Sequence, residues 1–328
     1  MNDFLATTAP ENAQPQVPGG LADGFYFDLP EKDYHADPAL GSSGICDLLV
    51  SPVQFWRNSP FNAKREASED SEAQLFGSYF HDLIAGRAGT YAIKPDDMSF
   101  STKYGKAWRA AHADKTIIKH EQTVTARAMY DALLHAGVIE KFMGGIPEVS
   151  YFWTRADGIR CKIRADIFRH DLAGDWKTYA NTMNKDTETL IAHTVAAHRY
   201  HVKAVWYQSG IDHMRKAVRA GVLAKHGTAK PFDWQAFAES DETAFPLYYV
   251  FIEKHEFPEI TVRRFKPHST EGLNAYWRAG RNEIDRALQS YRRFASTAGF
   301  ETPWRNEVPF KAFADEEFTA ARWILEQE

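Results

Sequence analysis

The residues best equipped for chemistry lie in one stretch, Cys161 to Thr178, which reads CKIRADIFRHDLAGDWKT. Its first half alternates Cys161, Ile163, Ala165 and Ile167 with Lys162, Arg164 and Asp166, the period-two pattern of a half-buried strand. Asp166 therefore shares a face with Lys162 and Arg164. Beyond the polar break Arg169-His170-Asp171, Asp175 and Lys177 again share a face. Pairing of the two runs around a four-residue turn sets Asp166 opposite Asp175, with Cβ atoms roughly 5 Å apart. Like charges facing each other across a sheet destabilise it. A divalent cation held between them would compensate, and hard oxygen donors suit Mg²⁺ or Mn²⁺. The matching chemistry is metal-dependent phosphodiester hydrolysis. There Lys177 can orient or deprotonate the attacking water and stabilise charge on the phosphorane.

Other members of such a site must come from neighbouring elements. The run SEAQLFGSYFHDLIAG, residues 71–86, places Phe76, Tyr79, Phe80, Leu83 and Ile84 at helical spacing, with Gly86 as the stop. Gly77 and His81 fall one turn apart on a neighbouring face. His81 is then either a hydrogen-bonded histidine at the edge of the core or a metal ligand. Glu148 opens a strand, Glu148 to Trp153, that leads through Arg155-Ala156-Asp157-Gly158 into the central stretch. Asp157-Gly158 predicts a type I′ turn, hence a three-stranded antiparallel meander from Glu148 to Lys177. Strict alternation around that turn puts Glu148 on the face away from Asp166. Its joining the site requires a bulge or a one-residue shift of register.

Lys103, Lys106 and Arg109 recur every three residues on a predicted helix, as a stripe for phosphates or as a solvated charged face. Residues 186–221 read as largely helical, and Tyr200, Lys203 and Tyr207 form a stripe there. Such a stripe holds a DNA strand by stacking and phosphate contact, or it is ordinary packing. Arg164, on the Asp166 face, is a further cation for a nucleic-acid backbone. Residues 246–252 and 259–265 read as two more strands extending the meander's sheet, and 271–295 as a long covering helix.

The chain has 328 residues, 44% of them hydrophobic and 25% charged, with a formal net charge of −5. It can bury a sizeable core, and the class expected is α/β (α+β). The charge excludes a protein coated in basic surface but allows a local basic groove. Cys46 and Cys161 alone make neither a disulfide framework nor a zinc or iron–sulfur ligand set. A reducing cytoplasm fits best. No apolar run is long enough to span a membrane, and no basic-then-apolar leader opens the chain. Residues 1–22 are expected to be a disordered tail and 23–328 a single domain. Trp304, Phe310, Phe313 and Trp323 are expected to pack back onto the body or onto another subunit.

In this order, Gly77-x-x-x-His81, Glu148, Asp166 and Asp175-x-Lys177 resemble the RecB-type branch of the PD-(D/E)XK nucleases. The segments YHADPALGSSGICDLL, FGSYFHDLIAG, KIRADIF, GDWKT and RYHVKAVWYQSG are similar to the RecE (exonuclease VIII) nuclease domains of phage recombination systems. The resemblance spans roughly residues 25 to 320. It implies a restriction-endonuclease-like core with a central mixed sheet flanked by helices. It also implies Mg²⁺-dependent 5′ to 3′ degradation of linear double-stranded DNA, a homo-oligomeric ring around the DNA, and a single-strand annealing partner. By the same resemblance His81, Asp166, Asp175 and the backbone carbonyl of Trp176 would ligate metal, Lys177 would act on the water, and Glu148 fills the family's acidic position. Two positions depart from the family pattern. Ala165 stands where a proline precedes the central Asp, and Lys203-x-x-x-Tyr207 stands where the family has QxxxY.

Overall fold

The structure is a computed structural model; it describes residues 19–65, 71–142, 145–182, 184–240, 245–266, 268–269 and 272–305. In chain order these form β1 (Gly24–Tyr26), α1 (Glu31–Ala36), α2 (Ser42–Val50), α3 (Pro52–Asn58) and α4 (Glu72–Ile84). An excursion follows, β2 (Tyr91–Lys94), α5 (Lys103–Ala111) and β3 (Thr116–Lys119), then α6 (His120–His135) and α7 (Val138–Phe142). The centre is β4 (Ile146–Thr154), β5 (Arg160–Phe168) and β6 (Ala173–Tyr179), succeeded by α8 (Thr187–Ala197) and α9 (Tyr200–Arg219). Last come β7 (Lys225–His226), α10 (Trp234–Glu239), β8 (Leu247–Glu253), β9 (Ile260–Phe265) and α11 (Ala275–Ala298). Local chemistry marks the helix starts. Ser51 caps α3 with Pro52 behind it, and Ser71 and Gln74 close a capping box on α4.

Seven strands make one mixed sheet in the order β7-β1-β4-β5-β6-β8-β9. β6 and β8 run parallel, joined by the crossover through α8, α9 and α10; β4-β5, β5-β6 and β8-β9 are antiparallel. The edge pair β1 and β7 has no counterpart in the sequence reading, because strands of three and two residues are too short to carry a period. Along β8, Leu247, Tyr249 and Phe251 enter the larger core beneath α2, α3, α9 and α11. Val250 and Ile252 enter a second core under α4, α6 and α7. Each fully buried aromatic in these layers, Phe80 and Phe251 among them, contributes about 2–3 kcal/mol by leaving water. Trp304 is 1% exposed and packs on Phe55, Tyr291 and Phe294. Phe310, Phe313, Trp323 and most of the expected N-terminal tail lie outside the described residues.

The β4-β5 turn differs from the expectation. Only Gly158, and not Asp157, has positive φ, Gly158 N–H donates to the Arg155 carbonyl, and Arg155 N–H donates to the Ile159 carbonyl. This is a three-residue loop with a glycine bulge rather than a type I′ turn. Asp157 is held there by Arg155 and by Arg292 of α11. The longer loop shifts the register by one residue: Thr154 pairs with Arg160, the ladder runs to Val149↔Ala165, and after a gap at Glu148 and Asp166 it resumes in the same register with Pro147↔Ile167 and Ile146↔Phe168. Glu148 is thereby set directly across from Asp166.

Candidate active site

The β5-β6 ladder is short. It contains Ile167↔Gly174 and Phe168↔Ala173 and stops where the same register would bring Asp166 against Asp175. From there β6 stays with β8, from Ala173↔Leu247 to Tyr179↔Glu253, and parts from β5. Asp166 Oδ2 accepts a hydrogen bond from Trp176 N–H at 2.8 Å across the opening wedge. The bared edge of β5 is covered by other groups. Leu40 bridges to Cys161, while the Trp206 indole and the Tyr207 hydroxyl of α9 donate to the carbonyls of Lys162 and Arg164. Buried carbonyls require such partners once the neighbouring strand has left.

α4 delivers His81 into the wedge. Phe76, Tyr79 and Phe80 anchor this helix in the second core against Trp176. His81 Nδ1 then lies 3.6 Å from Asp166 Oδ2, and Nε2 lies 3.1 Å from the Trp176 carbonyl oxygen. A Cβ added at Gly77 would meet nothing within 4 Å, so the space one turn below His81 is open. Glu148 arrives from β4 with φ of 57°, a strained value for a residue with a Cβ. Its carboxylate accepts from Arg164 Nε at 2.6 Å and lies 3.9 Å from Arg87. His81, Glu148 and Asp166 each present a ligand atom, all within 4.8 Å of one another. Asp175 is not part of that set. It forms an ion pair with Lys177, whose ammonium lies 5.4 Å from the Tyr200 ring centroid.

Burial, and after it the like charge of Asp175, push the Asp166 carboxyl up to about 7. Burial works to lower Lys177, but the Asp175 and Asp166 carboxylates outweigh it and hold its ammonium protonated. Burial and then Lys177 lower Lys203. An imidazole, two carboxylates and a peptide carbonyl converging on one wedge are a donor set that fits a hard divalent cation.

Of the residues singled out in the sequence, the wedge gathers His81, Glu148, Asp166 and the Trp176 carbonyl, with Asp175 and Lys177 beside them. Arg164 bonds Glu148, the Leu29 carbonyl and Ser150, so it positions the carboxylate, and it also lines the cleft. Tyr207 lines the cleft in front of the carboxylates, a space of about 220 Å³. Tyr200, expected on a strand-holding stripe, is 7% exposed and stacks on Tyr249 and His198. Its ring is spent on the core and offers no face to a base. Lys203 sits over the same ring at 5.1 Å. Lys103 and Lys106 lie on α5 and do not line this cleft. Asp82 and Arg87, not singled out in the sequence, also line it, as do Ser42 and Ser43 of the YHADPALGSSGICDLL segment. Asp82 is signalled by its place next to His81 on α4 and the two serines by that segment, whereas Arg87 has no such signal.

Arg164→Met is expected to lower stability by about 2–4 kcal/mol, because it takes the nearer of its two cations from the half-buried Glu148 carboxylate facing Asp166. Urea denaturation measures this. Arg164→Lys, which keeps the charge but loses the fork, is expected to recover part of the loss.

Residues 42–274 match the family model described as a PDDEXK-like domain of unknown function, DUF3799. No curated protein matches the chain. Among solved structures, the crystal structure of a "putative exonuclease" from Eubacterium rectale is similar over 92% of this chain and 98% of its own, with a TM-score of 0.51 and 14% identity. At that identity the likeness is one of fold.

Proposed function

Because this chain belongs to the DUF3799 family of PDDEXK-like domains, we propose that it is a divalent-metal-dependent exodeoxyribonuclease of RecE-like type. It would degrade linear duplex DNA from 5′ ends and leave 3′ single strands for an annealing partner, working as a ring-shaped homo-oligomer. The observation that carries this reading is the wedge between β5 and β6, where His81, Glu148 and Asp166 converge beside the Asp175–Lys177 pair. His81, Glu148, Asp166 and the Trp176 carbonyl, with Asp175 at their flank, would hold Mg²⁺ or Mn²⁺. When bound, the ion polarises the scissile phosphate and eases deprotonation of water.

The protein's own groups supply the rest. Lys177, kept protonated by Asp175 and Asp166, presents a cation to the water and to charge developing on the phosphorane; it is not placed to act as the base. Asp175 fixes that ammonium. Arg164 and Arg87 hold the Glu148 carboxylate in the wedge, so that the site is assembled before a substrate arrives. Tyr207 closes the α9 side of the cleft through its bond to the Arg164 carbonyl.

The test is incubation with Mg²⁺ of linear duplex labelled at the 5′ or the 3′ end, closed circular duplex, and single strands. The expected result is early release of the 5′ label from linear duplex, with circles left intact. Cutting of closed circles, or earlier release of the 3′ label, would sink the proposed polarity and end requirement.

A further inference from the structure

A second groove lies away from the carboxylates, on the β2-α5-β3 excursion. It measures about 710 Å³ and is lined chiefly by Phe100, Lys106, Arg109, His112, Lys115 and Ile117. We propose that this groove is a second nucleic-acid site, which grips the backbone of the DNA duplex outside the cutting centre; this rests on the nuclease reading.

Charge is the first argument. α5 reads KYGKAWRAA and contains no acid. Among the described residues no carboxylate pairs with Lys103, Lys106 or Arg109, and none of the groove's lining residues is acidic. Of the nearby acids, Asp96 is taken by His120 at 2.9 Å, and Asp97, in the loop before α5, and Asp114, on the turn before Lys115, are exposed outside the lining. Three like charges within two turns of a nine-residue helix repel one another by a few tenths of a kcal/mol per pair. The chain as a whole is acidic, so this uncompensated cluster calls for a polyanion as its partner.

The build of the helix is the second argument. Gly105 is its one buried residue, and a Cβ there would collide with the Ser99 carbonyl. α5 is thus pressed on the preceding loop at Gly105 and through the half-buried Trp108, and its other residues are exposed. Trp108 of α5 stacks between Phe100 and His112, with centroids 6.2 and 4.2 Å away. Arg109 and Lys94 lie 5.6 and 5.7 Å from the Phe100 ring centroid. The rings hold the long cationic side chains on one side without neutralising them.

Connection to the site is the third. The Tyr91 hydroxyl, at the start of β2, donates to Asp82 at 3.0 Å. Asp82 follows His81 and lines the catalytic cleft. From Tyr91 the four residues of β2 lead toward the groove over about 13 Å. That is about four base pairs of duplex at 3.4 Å each.

Fluorescence anisotropy in EDTA tests the assignment, because it reads binding whatever the protein does to DNA. Wild type is compared with Lys103→Gln/Lys106→Gln/Arg109→Gln on a duplex of about 30 base pairs and on one of about 6. The expected result is a roughly 10- to 100-fold weaker Kd for the long duplex and a drop of about 2–3 in the slope of log K against log salt, with the short duplex shifted far less. The charge-keeping Lys103→Arg/Lys106→Arg/Arg109→Lys should bind as wild type does. Unchanged binding of the long duplex, equal loss on both lengths, or no binding by wild type would overturn the proposal. So would a change in mass by light scattering with DNA binding intact, since the cations would then face a second copy of the chain. Absence of cleavage with Mg²⁺, alongside the expected binding changes, would overturn the nuclease reading alone.

Discussion

Asp175→Asn is expected to slow DNA hydrolysis at least about 1000-fold, equivalent to about 4 kcal/mol in the barrier, while leaving the protein folded. The substitution keeps shape and removes charge. In the wild-type protein the Asp175 carboxylate pairs with Lys177 and sits where the β5-β6 ladder gives out beside Asp166. Without it Lys177 loses the partner that aims its ammonium, and the flank of the metal-binding wedge loses an anion. Stability should not fall in step, because one of two mutually repelling buried carboxylates is gone. The Asp166 carboxyl, raised first by burial and next by Asp175, should then titrate lower. Steady-state cleavage of labelled linear duplex, with thermal melting as the control, measures both effects. A rate within tenfold of wild type would remove Asp175 from the site.

The second large effect concerns the divalent ion and pH. EDTA is expected to abolish cleavage, and Mg²⁺ is expected to raise the melting temperature more at pH 8 than at pH 6. The sign follows from Asp166, whose carboxyl titrates near 7 in the fold against an ordinary 3.8. A group raised in this way favours the folded state fully below pH 3.8, and that contribution is lost as pH climbs from there through 7, at a cost of about 4 kcal/mol in the ion-free protein. Ion binding needs the carboxylate, so below pH 7 a proton competes. Apparent affinity should weaken by up to about tenfold per pH unit there. Titration calorimetry across pH 5.5 to 8 reads this directly. Affinity independent of pH would show that Asp166 is not among the ligands.

Much of this arrangement was legible in the chain itself. The alternation of Cys161, Ile163 and Ala165 with Lys162, Arg164 and Asp166 reports which side of β5 meets the core, because a strand's two faces follow from covalent geometry. Helical spacing around Phe76, Phe80 and Leu83 likewise places His81 beside a buried stripe. The four-residue turn after Phe168 sets the register that aims Asp166 at Asp175. Each of these rests on interactions between residues close in sequence.

Tertiary structure decided the rest. Whether Asp166 and Asp175 stay paired depends on β8, which holds β6 in parallel from Ala173 onward and draws it off β5; no local pattern reports a competition between strands so far apart. The face of Glu148 depends on the turn at Asp157-Gly158, where Arg292 of a distant helix holds Asp157 and the loop takes one residue more than the dipeptide suggests. Tyr200 illustrates the same limit. Its helical position was readable, but only the fold puts Tyr249 and His198 against its ring. By itself the sequence determined which residue types face together along each strand and helix. The split in the sheet, the register of Glu148 and the resulting convergence of His81, Glu148 and Asp166 came from contacts between elements remote in the chain, whose energies no local spacing encodes.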